Sequence, residues 1–232
     1  QQAARAYRKL VELRPDDPAA HTSLGTSLHM LGDLLSARDC YQRALELSPD
    51  YAQAHSNLGT VYQSLRDVEE ADACFRRALS VAPGHQDALA GLATNLDRRG
   101  SYAEGWALIE HGFDPARSGL ELVITGAQLQ RHLGNNLRAA EILQLALERQ
   151  DLNDASRQRL HFNLGHALNA ESRYEEAFDN YRRGNKLKPV RFNGREYDDD
   201  VRRLLRVYAP QNAATLARAE NDDERPVFVL GM

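Results

Sequence analysis

Apolar and small residues fall at helical spacing from about Ala19 to Leu31, and again from about Leu34 to Leu47, with a short polar turn between. The same order returns thirty-four residues on: Leu24-Gly25 as Leu58-Gly59, Ala37 as Ala71, Tyr41 as Phe75, Ala44 as Ala78 and Pro49 as Pro83. His21 and Leu28 keep the phase at His55 and Tyr62. A fixed period of this length marks a stacked repeat, each unit a pair of antiparallel helices. Asp17 followed by Pro18 is a start signal, Gly32 a stop for the first helix and Pro49 a stop for the second. A helix of thirteen residues is roughly 20 Å long and marginal alone in water, so such a fold depends on burial between helices. Gly25 and Ala44 mark close approach, and Leu24, Leu28 and Tyr41 fill the remaining space. Each repeat leaves an apolar flank that only the next can cover.

The remaining chain repeats this unit with decay. Residues 1–17 read as the second helix of a truncated repeat, with Ala3, Tyr7, Leu10 and Pro15 in phase, which predicts a longer protein with repeats upstream. Full repeats follow at about 18–51 and 52–85. The third, about 86–117, keeps Leu89, Leu92, Ala93 and Leu96, but Gly105 and Gly112 replace the expected alanines. A turn-rich connection at 113–119 predicts a break in regularity there, with Trp106 packed at the joint. A fourth repeat covers about 120–153 and a fifth about 158–191. Ser101–Glu104 and Ser172–Glu175 read as capping boxes opening the second helices of the third and fifth. Beyond Pro189 the period stops. An amphipathic stretch at Tyr197–Tyr208 and an acidic run suggest a helical cap and linker over 192–224. Val227–Leu230 is a short apolar, β-branched run suited to a buried strand, so 225–232 reads as the first strand of a further α/β domain.

The order large residue, Leu-Gly, aromatic, Ala, aromatic, Ala, Pro, present in two consecutive copies, resembles the tetratricopeptide repeat (TPR). The resemblance implies an all-α, right-handed superhelix (an α-α solenoid) of about five helix-turn-helix repeats, closed by a C-terminal helical cap and a short terminal strand. It also implies a concave groove, lined by first helices, that binds extended peptides or a partner's helix. Mapped onto this chain, the groove residues are Thr22, Thr26, Ser56, Asn57, Thr60, Gln63, Thr94, Gln128, Asn163 and His166. These are mostly neutral donors and acceptors, suited to a peptide backbone. Thr26, Thr60 and Thr94 stand where the carboxylate cage for chaperone tails would have Asn after Gly, which disfavours that ligand. Asn57 and Asn163 are similar to two rungs of the asparagine ladder in O-linked N-acetylglucosamine transferases.

Composition narrows the function further. With 232 residues, a net charge of −4 and a pI near 6.1, the chain offers no broad basic face for nucleic acid. No apolar run reaches membrane-spanning length, and no signal peptide is visible. Cys40 and Cys74 occupy one slot of adjacent repeats, too far apart for an unstrained bridge, and read as packing thiols in a reducing, cytoplasmic setting. No metal-ligand spacing, nucleophile elbow or other catalytic motif is present, and His21, His55 and His161 share a packing slot. His161 and His166, five apart, are poorly spaced for one metal.

The tail Arg225-Pro-Val-Phe-Val-Leu-Gly-Met232 resembles the entry into the sulfotransferase domain of bacterial TPR–sulfotransferase proteins. That resemblance implies 3′-phosphoadenosine 5′-phosphosulfate as the cofactor of a parent enzyme. The phosphate loop itself would begin after Met232, so no catalytic, cofactor-binding or metal residue is assigned within this chain. The expectation is therefore a protein- or peptide-binding scaffold that presents a substrate to a C-terminal sulfotransferase. The alternatives are a free-standing adaptor assembling a protein complex, and the repeat arm of another phosphate-binding enzyme.

Overall fold

The computed structural model describes residues 2–187. Among these residues there are eleven helices and no strand. Helix α1 (Gln2–Leu13) stands alone. Five hairpins follow: α2 (Pro18–Met30) with α3 (Leu34–Leu47), α4 (Ala52–Ser64) with α5 (Val68–Val81), α6 (Gln86–Arg98) with α7 (Tyr102–Glu110), α8 (Leu120–His132) with α9 (Asn136–Leu147), and α10 (Asp154–Ala170) with α11 (Tyr174–Leu187). Each hairpin packs on the next, giving an all-α solenoid. The segments read as a cap (192–224) and a strand (225–232) lie outside the described residues.

Local chemistry sets the helix ends. The Asp17 carboxylate accepts from Ala19 N–H at 2.9 Å with Pro18 in the first turn, and Asp33 and Asp67 accept from Ser36 and Glu70 N–H at 3.2 and 3.3 Å. Each such cap is worth about 1 kcal/mol. The turn inside each hairpin passes through the left-handed region at one slot. Gly32, Gly100 and Gly134 fill it with φ near 80° (82°, 80° and 83°), while Arg66 (66°) and Ser172 (59°) adopt it despite their Cβ atoms. The capping boxes do not form. Ser172 is spent on this turn, and the first bond of α11 runs from Ala177 N–H to Arg173 O. Ser101 stands at the start of α7 without a side-chain capping hydrogen bond.

Packing between hairpins follows the aromatic slot. Tyr41 and Phe75 are 1% and 0% exposed. Phe75 is clamped between Gly59 of its own hairpin and Gly91 of the next, where an added Cβ would lie 2.7 and 2.3 Å from the ring. His21 and His55, expected only to pack, also bond: each Nε2 meets the carbonyl of Pro15 or Pro49 at 2.8 Å, tying a first helix to the end of the preceding second helix. Cys40 and Cys74 are free and half-buried. Burial, then Glu70 and Asp67, pushes the Cys74 thiol up to about 12.

The expected irregularity falls at α7. This helix is only nine residues long and ends before Gly112, whose φ is 91°. Phe113 then stacks edge-on to Trp106 at 5.5 Å and fills the space over Gly126. Arg149, at the end of α9, secures the connection by donating to the Ser118 carbonyl at 2.6 Å while pairing with Asp151 at 2.7 Å. The core is not interrupted, because Ala90, Ala93, Ile109, Leu122 and Leu129 form one cluster across α6, α7 and α8. Helix α10 begins at Asp154, earlier than the sequence suggested, because Asn153 accepts from Ser156 N–H at 2.9 Å and adds a turn.

Candidate functional site

Successive first helices touch one another, α2 with α4, α4 with α6, α6 with α8 and α8 with α10, while no comparable contact joins successive second helices among the described residues. The first helices therefore make the crowded inner layer, and their free flank is the concave face. Equivalent positions of neighbouring hairpins meet along this face as polar rungs. Asn57 Nδ2 donates to Thr26 Oγ1 at 3.4 Å, Thr94 and Thr125 share a hydrogen bond at 3.2 Å, and Gln128 Nε2 donates to Asn163 Oδ1 at 3.4 Å.

One rung is missing. The partner expected for Thr60 is at position 91, a glycine. With no side chain there, Gln63 turns inward and donates through Nε2 to Gly91 O at 3.0 Å and to Asn95 Oδ1 at 2.7 Å. The Asn95 amide, wholly buried, donates in turn to Asp72 at 2.7 Å, and Asp72 also takes Arg99 at 2.6 Å. A polar chain thus runs from the concave face through the seam between the second and third hairpins. Above Gly91 the missing rung opens a cleft of about 360 Å³, floored by Ala90 and Gly91 and walled by Asn57, Thr60, Gln63, Thr94 and Thr125. Asp87 and Glu121 lie at one end of it and Arg98 at the other. A smaller hollow of about 270 Å³ continues it past Ser64 to Arg66.

The residues singled out from sequence divide into four groups. Thr60, Gln63, Thr94 and Asn57 meet at this cleft. Gln128, Asn163 and His166 line the same face on α8 and α10 but lie away from the cleft; His166 Nδ1 shares a hydrogen bond with the Tyr181 hydroxyl at 3.1 Å. Partial burial, then the Arg131 guanidinium, holds its imidazole below the ordinary range. Thr26 is exposed and serves the first rung.

Thr22 and Ser56 are corrections: they are 6% and 0% exposed, because their helical phase is that of Ala90 and Ile124 in the core. Thr22 donates back to Pro18 O at 2.8 Å, and Ser56 Oγ has no hydrogen-bond partner. The asparagine-ladder reading changes as well. The Asn57 amide is engaged by Gln53 at 2.9 Å and by Thr26, so it braces neighbouring helices.

Sequence reasoning passed over Gly91, Asp87 and Glu121. Gly91 was the available signal, a glycine where the other repeats carry Asn57, Thr125 and Asn163. Glu121 is paired with Arg159 at 2.8 Å, which holds its carboxyl below the usual range. No cluster of three metal-ligating side chains occurs among the described residues, and no described helix is long and apolar enough to cross a membrane.

Residues 16–84 match a tetratricopeptide repeat family model, and residues 158–191 match a second. The chain carries tetratricopeptide repeats. The hairpins between these TPR matches, including the shortened α7, continue the same stack. A comparison with curated proteins returns no match.

Among solved structures, the TPR chain is similar to YrrB, described as a TPR protein with an unusual peptide-binding site. The identity is 19%, covering 82% of this chain and 95% of that one, with a TM-score of 0.53. It is similar to TTC0263, a thermophilic TPR protein in Thermus thermophilus, at 19% identity, 80% and 96% coverage and a TM-score of 0.63. The likeness to the APC/C hetero-tetramer Cut9-Hcn1 reaches a TM-score of 0.70 at 16% identity, over 78% of this chain and 36% of that one. At such identities the shared property is the TPR fold.

Proposed function

We propose that this chain is a scaffold whose concave face holds an extended segment of a partner protein, seated in the cleft above Gly91. The observation that carries this reading is the missing rung. Elsewhere on the face the polar side chains bond across hairpins, whereas here Thr60 and the carbonyl oxygen of Gln63 are left beside an open floor. Hydroxyls and an amide so placed can exchange water for the backbone groups of a peptide, the usual currency of extended-segment recognition. The structural likeness to YrrB, whose description includes a peptide-binding site, supports the same reading.

The test is selection from a displayed random-peptide library on the whole 232-residue chain, followed by fluorescence anisotropy of the recovered peptides. Thr94→Trp, which fills the cleft, should weaken them about tenfold or more, a loss of about 1.4 kcal/mol. Peptides that bind Thr94→Trp and the parent chain equally would remove the cleft from the function. Presentation of the bound segment to a C-terminal sulfotransferase is an extension resting on the resemblance of Arg225–Met232. The codons after Met232 test it, with Pro-Arg-Ser-Gly-Thr-Thr as the supporting outcome.

A further inference from the structure

The two ends of the cleft differ in charge, and the rows of side chains along the concave face show why. One row, at the N-terminal ends of the first helices, runs Gln53, Asp87, Glu121, Arg159. Its last two members pair with each other, which leaves Asp87 with no hydrogen bond or ion pair among the described residues. At the C-terminal ends, Ser64 meets His29 at 3.5 Å and His132 meets Asp97 at 2.6 Å. The equivalent neighbour of Arg98 is Gln63, which is turned away toward Gly91 and Asn95. Arg98 therefore has no carboxylate partner among the described residues, and both it and Asp87 are exposed on the same cleft. They sit at opposite ends of α6, eleven residues apart, a rise of roughly 16 Å.

We infer that the segment held in the cleft is zwitterionic: an extended peptide with a cationic side chain facing Asp87 and a carboxylate facing Arg98. This specificity rests on the peptide-binding reading above. An extended chain advances about 3.3 Å per residue and turns every second side chain to the same face, so the two side chains belong about four residues apart, their own length covering the rest of the span. Opposed charges at fixed spacing select both composition and direction. A uniformly acidic segment meets Asp87, a uniformly basic one meets Arg98, and a mixed segment laid in reverse meets both repulsions.

The experiment uses five dye-labelled pentapeptides with identical Ser-Thr-Ser interiors and blocked ends, measured by fluorescence anisotropy against the whole chain. Their terminal residues are Lys and Glu, Glu and Lys, Lys twice, Glu twice, and Gln twice. One of the two mixed orders should bind about tenfold more tightly than the other four. Arg98→Glu should transfer the preference to the double-lysine probe. Similar binding of the charged and double-glutamine probes, abolished by Thr94→Trp, would overturn the inference and leave the cleft as a peptide site. Binding by none of the five would also overturn it, and the library selection would then decide the cleft's role separately. A mixed-charge preference that survives Arg98→Glu would overturn it as well.

Discussion

Gly91 is the position where packing and the cleft meet, and replacing it with alanine tests both. An alanine Cβ would stand 2.3, 2.6 and 2.7 Å from three atoms of the Phe75 ring, whereas ordinary contact begins near 3.4 Å. The ring must withdraw by roughly 1 Å from a close-packed site. It has little room to move, because Gly59 also stands so close to the ring that its own added Cβ would lie 2.7 Å away. Overpacking of this kind costs about 1–3 kcal/mol, and three close ring atoms place Gly91→Ala at the upper end. Helix propensity returns about 1 kcal/mol. The net loss of about 2 kcal/mol corresponds to roughly 4–8 °C in Tm for a chain of this size.

Thermal unfolding followed by far-ultraviolet circular dichroism measures it, with Gly84→Ala as the control. Position 84 has open space around it and no left-handed φ, so that variant should hold or slightly raise Tm. In a Phe75→Leu background the added methyl gains room, and the penalty of Gly91→Ala should shrink by about 1 kcal/mol or more. A Gly91→Ala protein as stable as Gly84→Ala, or a penalty unchanged beside Leu at position 75, would refute this account of the seam.

Four further outcomes are expected. Ser56→Ala removes a fully buried hydroxyl with no partner and should raise stability by about 1 kcal/mol, read as an upward shift of the urea midpoint. Asp72→Ala should cost about 1–3 kcal/mol, because it strands the buried Asn95 amide. Arg99→Ala, whose side chain is 45% exposed, should cost less than about 1 kcal/mol in the same assay. With its thiol held near 12, Cys74 should be alkylated at about pH 8 on the order of a thousandfold more slowly in the folded chain than in urea. Equal rates, read by peptide mass spectrometry, would contradict its burial.

The regular hairpins were legible because their chemistry is local and repeated. Asp17-Pro18, Gly32 and the aromatic slot each act within a few residues, so the bounds of α2 and α3 could be read within a residue of those observed. The capping box of the fifth repeat failed for a local reason as well: Ser172 stands where the turn demands a left-handed residue, one position before a cap could act. The concave face was harder. Thr22 and Thr26 differ by one helical turn, yet one is in the core and the other exposed, a distinction that helical spacing alone does not make. The cleft depends on residues from three helices, and its key feature is an absent side chain, which a search for binding groups passes over.

The polar chain from Gln63 through Asn95 and Asp72 to Arg99 also bears on how the array assembles. Near-identical hairpins invite misdocking, since an apolar flank of one fits the flank of several others, and repeat proteins are prone to such errors. The first hairpin carries Ser27 and Arg38 where the chain requires Asn95 and Asp72, and the second carries Val61 in place of Asn95. A wrong pairing at this junction would leave the Asn95 amide or the Asp72 carboxylate buried without its partner. This buried joint is one that only the second and third hairpins can make among the described residues, so it favours the third hairpin as the neighbour of the second.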